Sequence, residues 1–182
     1  MDNGASSYRR FLDGDESAFD EIMQELFTGL VFFVNRYVHD VHAAEDIAID
    51  AFSDLIVHKH RYNFKVTLKT YLFTIGKNRA LDYIRHRKVI DSAQIYETDI
   101  SEDEKTLEET VLADEQKRII NAAVSQLPED MRIVIHLFYF EDMTYEQAAK
   151  VMKKNTKQID NLLYRAKKEL RTILRKSEEY LS

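Results

Sequence analysis

A chain of 182 residues has room for one domain or two small ones. With one Pro, four Gly and no Cys, it lacks the turn punctuation of a strand-rich fold and excludes disulfides and thiolate metal sites. The net charge of −6 would by itself argue against a nucleic-acid partner, but the charges are segregated along the chain and the total misleads. No apolar run approaches the ~18 residues that a membrane span needs, and the opening MDNGASSYRR lacks the apolar centre of a signal peptide. A cytoplasmic, all-α protein without membrane insertion is expected.

In chain order, Phe11, Leu12, Phe19, Ile22, Met23, Leu26 and Phe27 recur at three- and four-residue steps, which predicts a helix with one buried face. Gly14 followed by Asp15, Glu16 and Ser17 suits a helix start with acids in its first turn. A second pattern runs through Leu30, Val31, Val34, Tyr37 and Val38 and stops near His39 and Asp40. A third uses Ile47, Ala48, Ala51, Phe52, Leu55 and Ile56, with Glu45, Asp46, Asp50 and Asp54 on or beside its other face. The stretch 61–67 has no clean period and reads as a loop. Leu68, Leu72 and Ile75 then open a helix that turns basic through Lys77, Arg79, Arg85, Arg87 and Lys88. From Asp91 to Gln116 carboxylates dominate and Lys105 is the only base, the composition of an acidic linker. Val111, Leu112, Ile119, Ile120, Ala123 and Leu127 begin a second helical unit, and Pro128 suits the first position of a helix with Glu129 and Asp130 in its first turn. The expected layout is two small helical domains, 1–90 and 113–182, joined by an acidic linker at 91–112.

The most informative stretch is Leu127 to Leu174. Thr144 with Gln147 has the spacing of a capping box, and so does Asn155 with Gln158. Two helix starts so close together leave room for about nine helical residues and a tight turn, the spacing of a helix-turn-helix whose second helix can enter the DNA major groove. Charge agrees: Lys150, Lys153, Lys154, Lys157, Arg165, Lys167, Lys168, Arg171, Arg175 and Lys176 stand against only Asp160 and Glu169. A local positive segment in an acidic chain points to a polyanion.

Taken together and in this order, these segments resemble a bacterial RNA polymerase sigma factor of the extracytoplasmic-function (ECF) group, over nearly the whole chain. GDESAFDEIMQELF is similar to the family's first helix, AAEDIAIDAFSDLI to its polymerase-binding helix, TYLFTIGKNRALDYIRHRK to its promoter-melting segment, and LPEDMRIVIHLFYFEDMTYEQAAKVM with the following helix to its −35-reading domain. The resemblance implies a region 2-like domain at 1–90, a region 4-like domain at 113–182, and a non-enzymatic initiation factor. That factor would bind core RNA polymerase through the β′ clamp coiled coil, direct it to promoter DNA and help melt the −10 region. It also implies an anti-sigma factor as regulator, and a linker that threads towards the polymerase cleft.

Residue chemistry can be read beside this. Holding an opened strand needs cations, aromatics and amides together, and Phe64, Lys65, Asn78, Arg79, Arg85, Arg87 and Lys88 supply them. Asn78 and Arg85, seven apart, share a helical face. Phe64, Tyr71 and Tyr83 are equally core aromatics by period, and Tyr71 stands where the family has Trp. In the last domain Thr156, Lys157, Gln158 and Asn161 lie at the leading end of the second helix, with Thr144 before the first. Lys and Gln can address guanine and adenine edges, whereas Arg165, Lys168 and Arg171 suit phosphates. Ile159, Leu163, Ala166 and Leu170 would face the domain core. The family carry-over adds Glu45, Asp46, Asp50 and Phe52 as polymerase contacts.

Several positions depart from the family pattern. Ile49 replaces a Gln, Lys153 replaces the turn Gly, Lys154 replaces an apolar residue, and Asp160 and Leu162 occupy places often basic. Lys153 either takes a left-handed conformation at a cost of about 1 kcal/mol or the turn differs in shape. A stand-alone helix-turn-helix regulator would explain the last domain but not the second basic patch or the acidic helix. An enzyme or metalloprotein is a third reading: His39 with His42, and His58 with His60, could suggest ligands, but there is no HExxH, ExxH pair or Gly-rich phosphate cradle. No catalytic residue, metal or cofactor is expected.

Overall fold

The computed structural model describes residues 4–93 and 115–180. Helices follow one another as α1 (Ala5–Leu12), α2 (Ser17–Val38), α3 (Val41–Val57), α4 (Leu68–Ala93), α5 (Glu115–Ser125), α6 (Glu129–Tyr139), α7 (Tyr145–Met152) and α8 (Thr156–Tyr180), and the described residues contain no strand. The chain divides into two compact units, one built around α1 to α4, the other around α5, α6, α8 and the start of α7. The expected acidic linker, apart from its first residues at the end of α4, lies outside the described residues.

In the first unit α2 packs against α1, α3 and α4. The two patterns read separately before and after Phe27 belong to the single helix α2, which runs through Thr28 and Gly29 without a break. Phe11 and Leu12, assigned by period to that same helix, instead close α1: Gly14 turns the chain at φ 101° before α2 begins. His39 ends α2 in the left-handed region at φ 52°, and Asp40 caps α3 by accepting from the Ala43 amide at 3.0 Å. Where α2 meets α3 and α4, Ile22, Leu26, Leu30 and Phe33 are buried, as are Ala48, Phe52 and Leu55 of α3 and Leu68, Leu72 and Phe73 of α4. Tyr8 pins α1 to this core: its buried hydroxyl is shared between the carbonyls of Leu55 (3.0 Å) and Lys59 (2.9 Å), and burial pushes the phenol up to about 12.

At Gly76, α4 lies close against α2. A Cβ there would lie 2.8 Å from Leu30 Cδ1 and 3.2 Å from Val34 Cγ2. Gly76→Val adds two further carbons to that contact, and overpacking of this kind costs about 1–3 kcal/mol. The urea midpoint followed by circular dichroism should fall accordingly; an unchanged midpoint would mean the two helices separate freely.

In the second unit Met131, Ile133, Val134 and Leu137 of α6 are buried, as are Ile159, Leu163 and Ala166 of α8. Leu170, expected beside them, is only partly buried, because α8 runs on past the core it covers. Pro128 is the N-cap of α6 rather than its first turn, with an extended ψ of 146°. At the end of α6, the buried His136 and Glu141 side chains meet at 3.3 Å, and the His136 ring stacks on Phe140. No described helix is long and apolar enough to cross a membrane.

Candidate nucleic-acid and partner interfaces

Both capping boxes form. The Thr144 amide donates to Gln147 Oε1 at 2.8 Å, and the Gln147 amide returns to Thr144 Oγ1 at 3.3 Å. Asn155 and Gln158 do the same, at 2.9 Å and 2.8 Å. Each pair satisfies backbone donors that a helix start leaves open. Between them the chain turns at Lys153, whose φ of 54° settles the alternatives in favour of a left-handed residue in the place of glycine. The Lys154 amide bonds back to the Ala149 carbonyl at 3.0 Å, and its ammonium reaches Asp130 at 3.1 Å. The Lys154 charge therefore has a partner at a position where an apolar residue is usual.

This turn presents α8 with Thr156, Lys157, Gln158, Asp160, Asn161, Arg165, Lys168 and Arg171 exposed. The expected contacts on α8 therefore share one accessible helix, where Gln158 also serves a cap, as Thr144 does before α7. Tyr164 is also exposed, at 69 %, between Asn161 and Lys168 on the same face. Helical spacing already places residue 164 off the stripe of Ile159, Leu163 and Ala166, so its exposure was legible in the sequence.

The second basic surface belongs to the first unit. In the loop before α4, the buried Tyr62 donates its hydroxyl to the Val66 carbonyl at 2.7 Å, and Asn63 Oδ1 accepts from the Lys65 amide at 3.1 Å. Phe64 between them stands at φ 59°, an uncommon conformation for a bulky side chain. Its ring lies 4.6 Å from Tyr62 and 6.2 Å from Tyr8, with the Arg9 guanidinium 4.7 Å from its centroid. Tyr71 joins the same cluster, 5.1 Å from Tyr62. Lys65, Arg85, Arg87 and Lys88 are exposed, Asn78 is half-buried, and Arg85 pairs with Asp82. Arg79 is turned towards α3: its guanidinium bonds Asp54 at 2.6 Å and Asp50 at 3.2 Å. A residue grouped with the DNA contacts and one grouped with the polymerase contacts thus hold each other.

On α3, Asp46, Ile49, Asp50, Ser53, Ile56 and Val57 are exposed and Glu45 is half-buried. Phe52, expected at this surface, is 2 % exposed and packs against Phe19 and Phe27 in the core. That places Phe52 beneath the helix as its support. The apolar residues the surface offers are Ile49, Ile56 and Val57. His42, also on this helix, pairs loosely with Glu45 at 3.8 Å.

Two all-helical units, one ending in a capped helix-turn-helix with a cationic second helix and the other displaying a basic helix beside an aromatic loop, define a nucleic-acid-binding architecture. Sequence comparison makes it specific: residues 28–89 match sigma-70 region 2 and residues 117–170 match sigma-70 region 4. The chain belongs to the sigma-70 family of bacterial RNA polymerase sigma factors, in its ECF group. It is 29% identical over 177 residues to the RNA polymerase sigma-H factor of Pseudomonas aeruginosa, covering 90% of this chain and 92% of that one. It is 26% identical over 160 residues to the ECF RNA polymerase sigma factor SigM of Bacillus subtilis, covering 85% and 93%. Among solved structures, the fold is similar to the sigma factor RpoE of Bartonella quintana, solved with the anti-sigma factor NepR (TM-score 0.64, 24% identity, 86% and 96% covered). It is also similar to CnrH, solved with the cytosolic domain of CnrY (TM-score 0.63, 17% identity, 94% of each chain).

Proposed function

We propose that this chain is a promoter-directing initiation factor that binds core RNA polymerase through α3, holds the opened −10 strand with the loop 61–67 and α4, and reads the −35 element with α8. The observation that carries the reading is that region 2 and region 4 follow one another on one chain, each on a unit that displays a cationic helix. No ATP is needed: binding energy for bases exposed in the open complex shifts the duplex equilibrium, and catalysis belongs to the polymerase. The factor works in the cytoplasm, where the polymerase is, and an anti-sigma factor that covers its polymerase or DNA surfaces is its regulator. In residue terms, Lys65, Asn78, Arg85, Arg87 and Lys88 face the melted strand, and Lys157, Gln158, Asn161, Arg165 and Lys168 face the −35 duplex.

The test is a pull-down of core RNA polymerase followed by run-off transcription from fragmented genomic DNA. Stable binding with discrete new start sites is the expected result. Tight operator binding without polymerase would replace the reading by a stand-alone regulator. Within the −35 surface, Arg165→Ala should weaken holoenzyme binding to all promoters alike and lower the salt slope by about 1, as loss of one phosphate contact requires. A change in sequence preference instead would mark Arg165 as a base reader.

A further inference from the structure

We propose that Arg9, on α1, forms the outer wall of the site that captures an unstacked base in the loop 61–67. The proposal rests on the reading of that loop as the place where the opened strand is held. Arg9 lies outside the segment that matches region 2, which begins at residue 28. Its position is nevertheless fixed by the core. The neighbouring Tyr8 is fully buried and hydrogen-bonded to two carbonyls at the end of α3, so the register of α1 delivers residue 9 to the loop. There the exposed Arg9 guanidinium lies over the Phe64 ring at 4.7 Å.

Phe64 is itself packed. Tyr62 and Tyr8 take up its surroundings, and its backbone is held at φ 59° by a loop tied with the Asn63 and Tyr62 hydrogen bonds. A strained residue held in place by its surroundings is a common mark of a ligand clamp. With Phe64 partly covered by these rings, the exposed planar group over it is the Arg9 guanidinium. Such a plane is a recognised platform for nucleobases, which stack on Arg as they do on aromatic rings. The Phe64 ring orients the guanidinium, and Lys65 beside it supplies charge for the adjoining phosphate.

The test uses the chain assembled with core polymerase and a fork-junction DNA built on the strongest start site mapped by run-off transcription. A matched set of probes carries an abasic nucleotide at each −10 position in turn. Arg9→Gln and Arg9→Lys should each weaken binding by about tenfold, the loss expected for one base-stacking contact. The loss should disappear on the probe whose captured nucleotide is abasic, and urea midpoints should stay unchanged. Wild-type binding by Arg9→Lys would reduce the residue to a charge and overturn the proposal, as would an equal loss on every abasic probe. Lys65→Ala separates the two levels. If it weakens binding while both Arg9 variants do not, the loop remains the strand site and Arg9 is not part of it. If neither position matters and polymerase binding is intact, the strand is held elsewhere and the underlying reading fails.

Discussion

Replacing both Ile49 and Ile56 by Glu should lower the affinity for core RNA polymerase by on the order of a hundredfold, more than any single charge reversal on α3. The exposed residues His42, Asp46, Ile49, Ser53, Ile56 and His60 follow alternating steps of four and three along α3 and beyond its end. That is the seam by which one helix packs along another in a coiled coil. At its centre Ile49 and Ile56 remain 50% and 44% exposed. Burying what remains of the two side chains is worth about half the ~1.5–3 kcal/mol of a fully buried Ile each, and a Glu in that seam adds the cost of an unpaired carboxylate. By contrast, exposed ion pairs such as those Asp46 could make contribute roughly 0.2–1 kcal/mol and fade with salt. The apolar term therefore decides affinity, and the carboxylates govern approach and register. Titration of core polymerase with labelled wild-type and double-variant chains at two salt concentrations checks this. Equal affinities would move the polymerase contact off α3. A loss that vanishes at high salt would return the leading role to Asp46 and Asp50.

What the sequence disclosed follows how local each feature is. Both capping boxes were readable because their partners lie three residues apart, and the structure closes them as the spacing required. The left-handed turn at Lys153 could only be posed as a choice, since a lone Lys does not announce a positive φ. On α3 period puts Phe52 in the apolar pattern and leaves Ile49 out of it, and only the family carry-over moves Phe52 to the surface; that Ile56, in the same pattern, stays exposed depends on which other helices pack against α3. The Arg79 pairing with Asp50 and Asp54 was hidden for the same reason, because its partners sit on a different helix. Arg9 is the extreme case: nothing near it in sequence points to Phe64, and only the folding of α1 under Tyr8 brings the two together.

Gln158→Glu should separate folding from reading in α8. It should leave the thermal midpoint equal to or above wild type, while lowering holoenzyme affinity for the −35 element at least tenfold and erasing base preference at one position. In the structure Gln158 Oε1 accepts from the Asn155 amide, so the side chain is drawn back against the helix start. A carboxylate accepts there equally well and is favoured by the positive end of the helix. What Glu cannot do is donate. With its oxygen committed to the cap, Gln158 has its Nε2 group to offer a base, and that suits an acceptor such as guanine N7 or O6 rather than the paired donor and acceptor of adenine. Gln158→Ala gives the opposite balance in stability: loss of the cap costs roughly 1 kcal/mol, together with the same loss of the donor. Selection of −35 sequences from a randomised library, run in parallel for wild type, Gln158→Glu and Gln158→Ala, reads the outcome directly. Wild type should favour guanine at one position and both variants should lose that choice, a discrimination of about 1–3 kcal/mol for a base contact of this kind. If the Glu variant binds every sequence more weakly yet selects the same bases, its charge alone is at work. Gln158 is then a cap only, and sequence choice passes to Lys157 and Asn161.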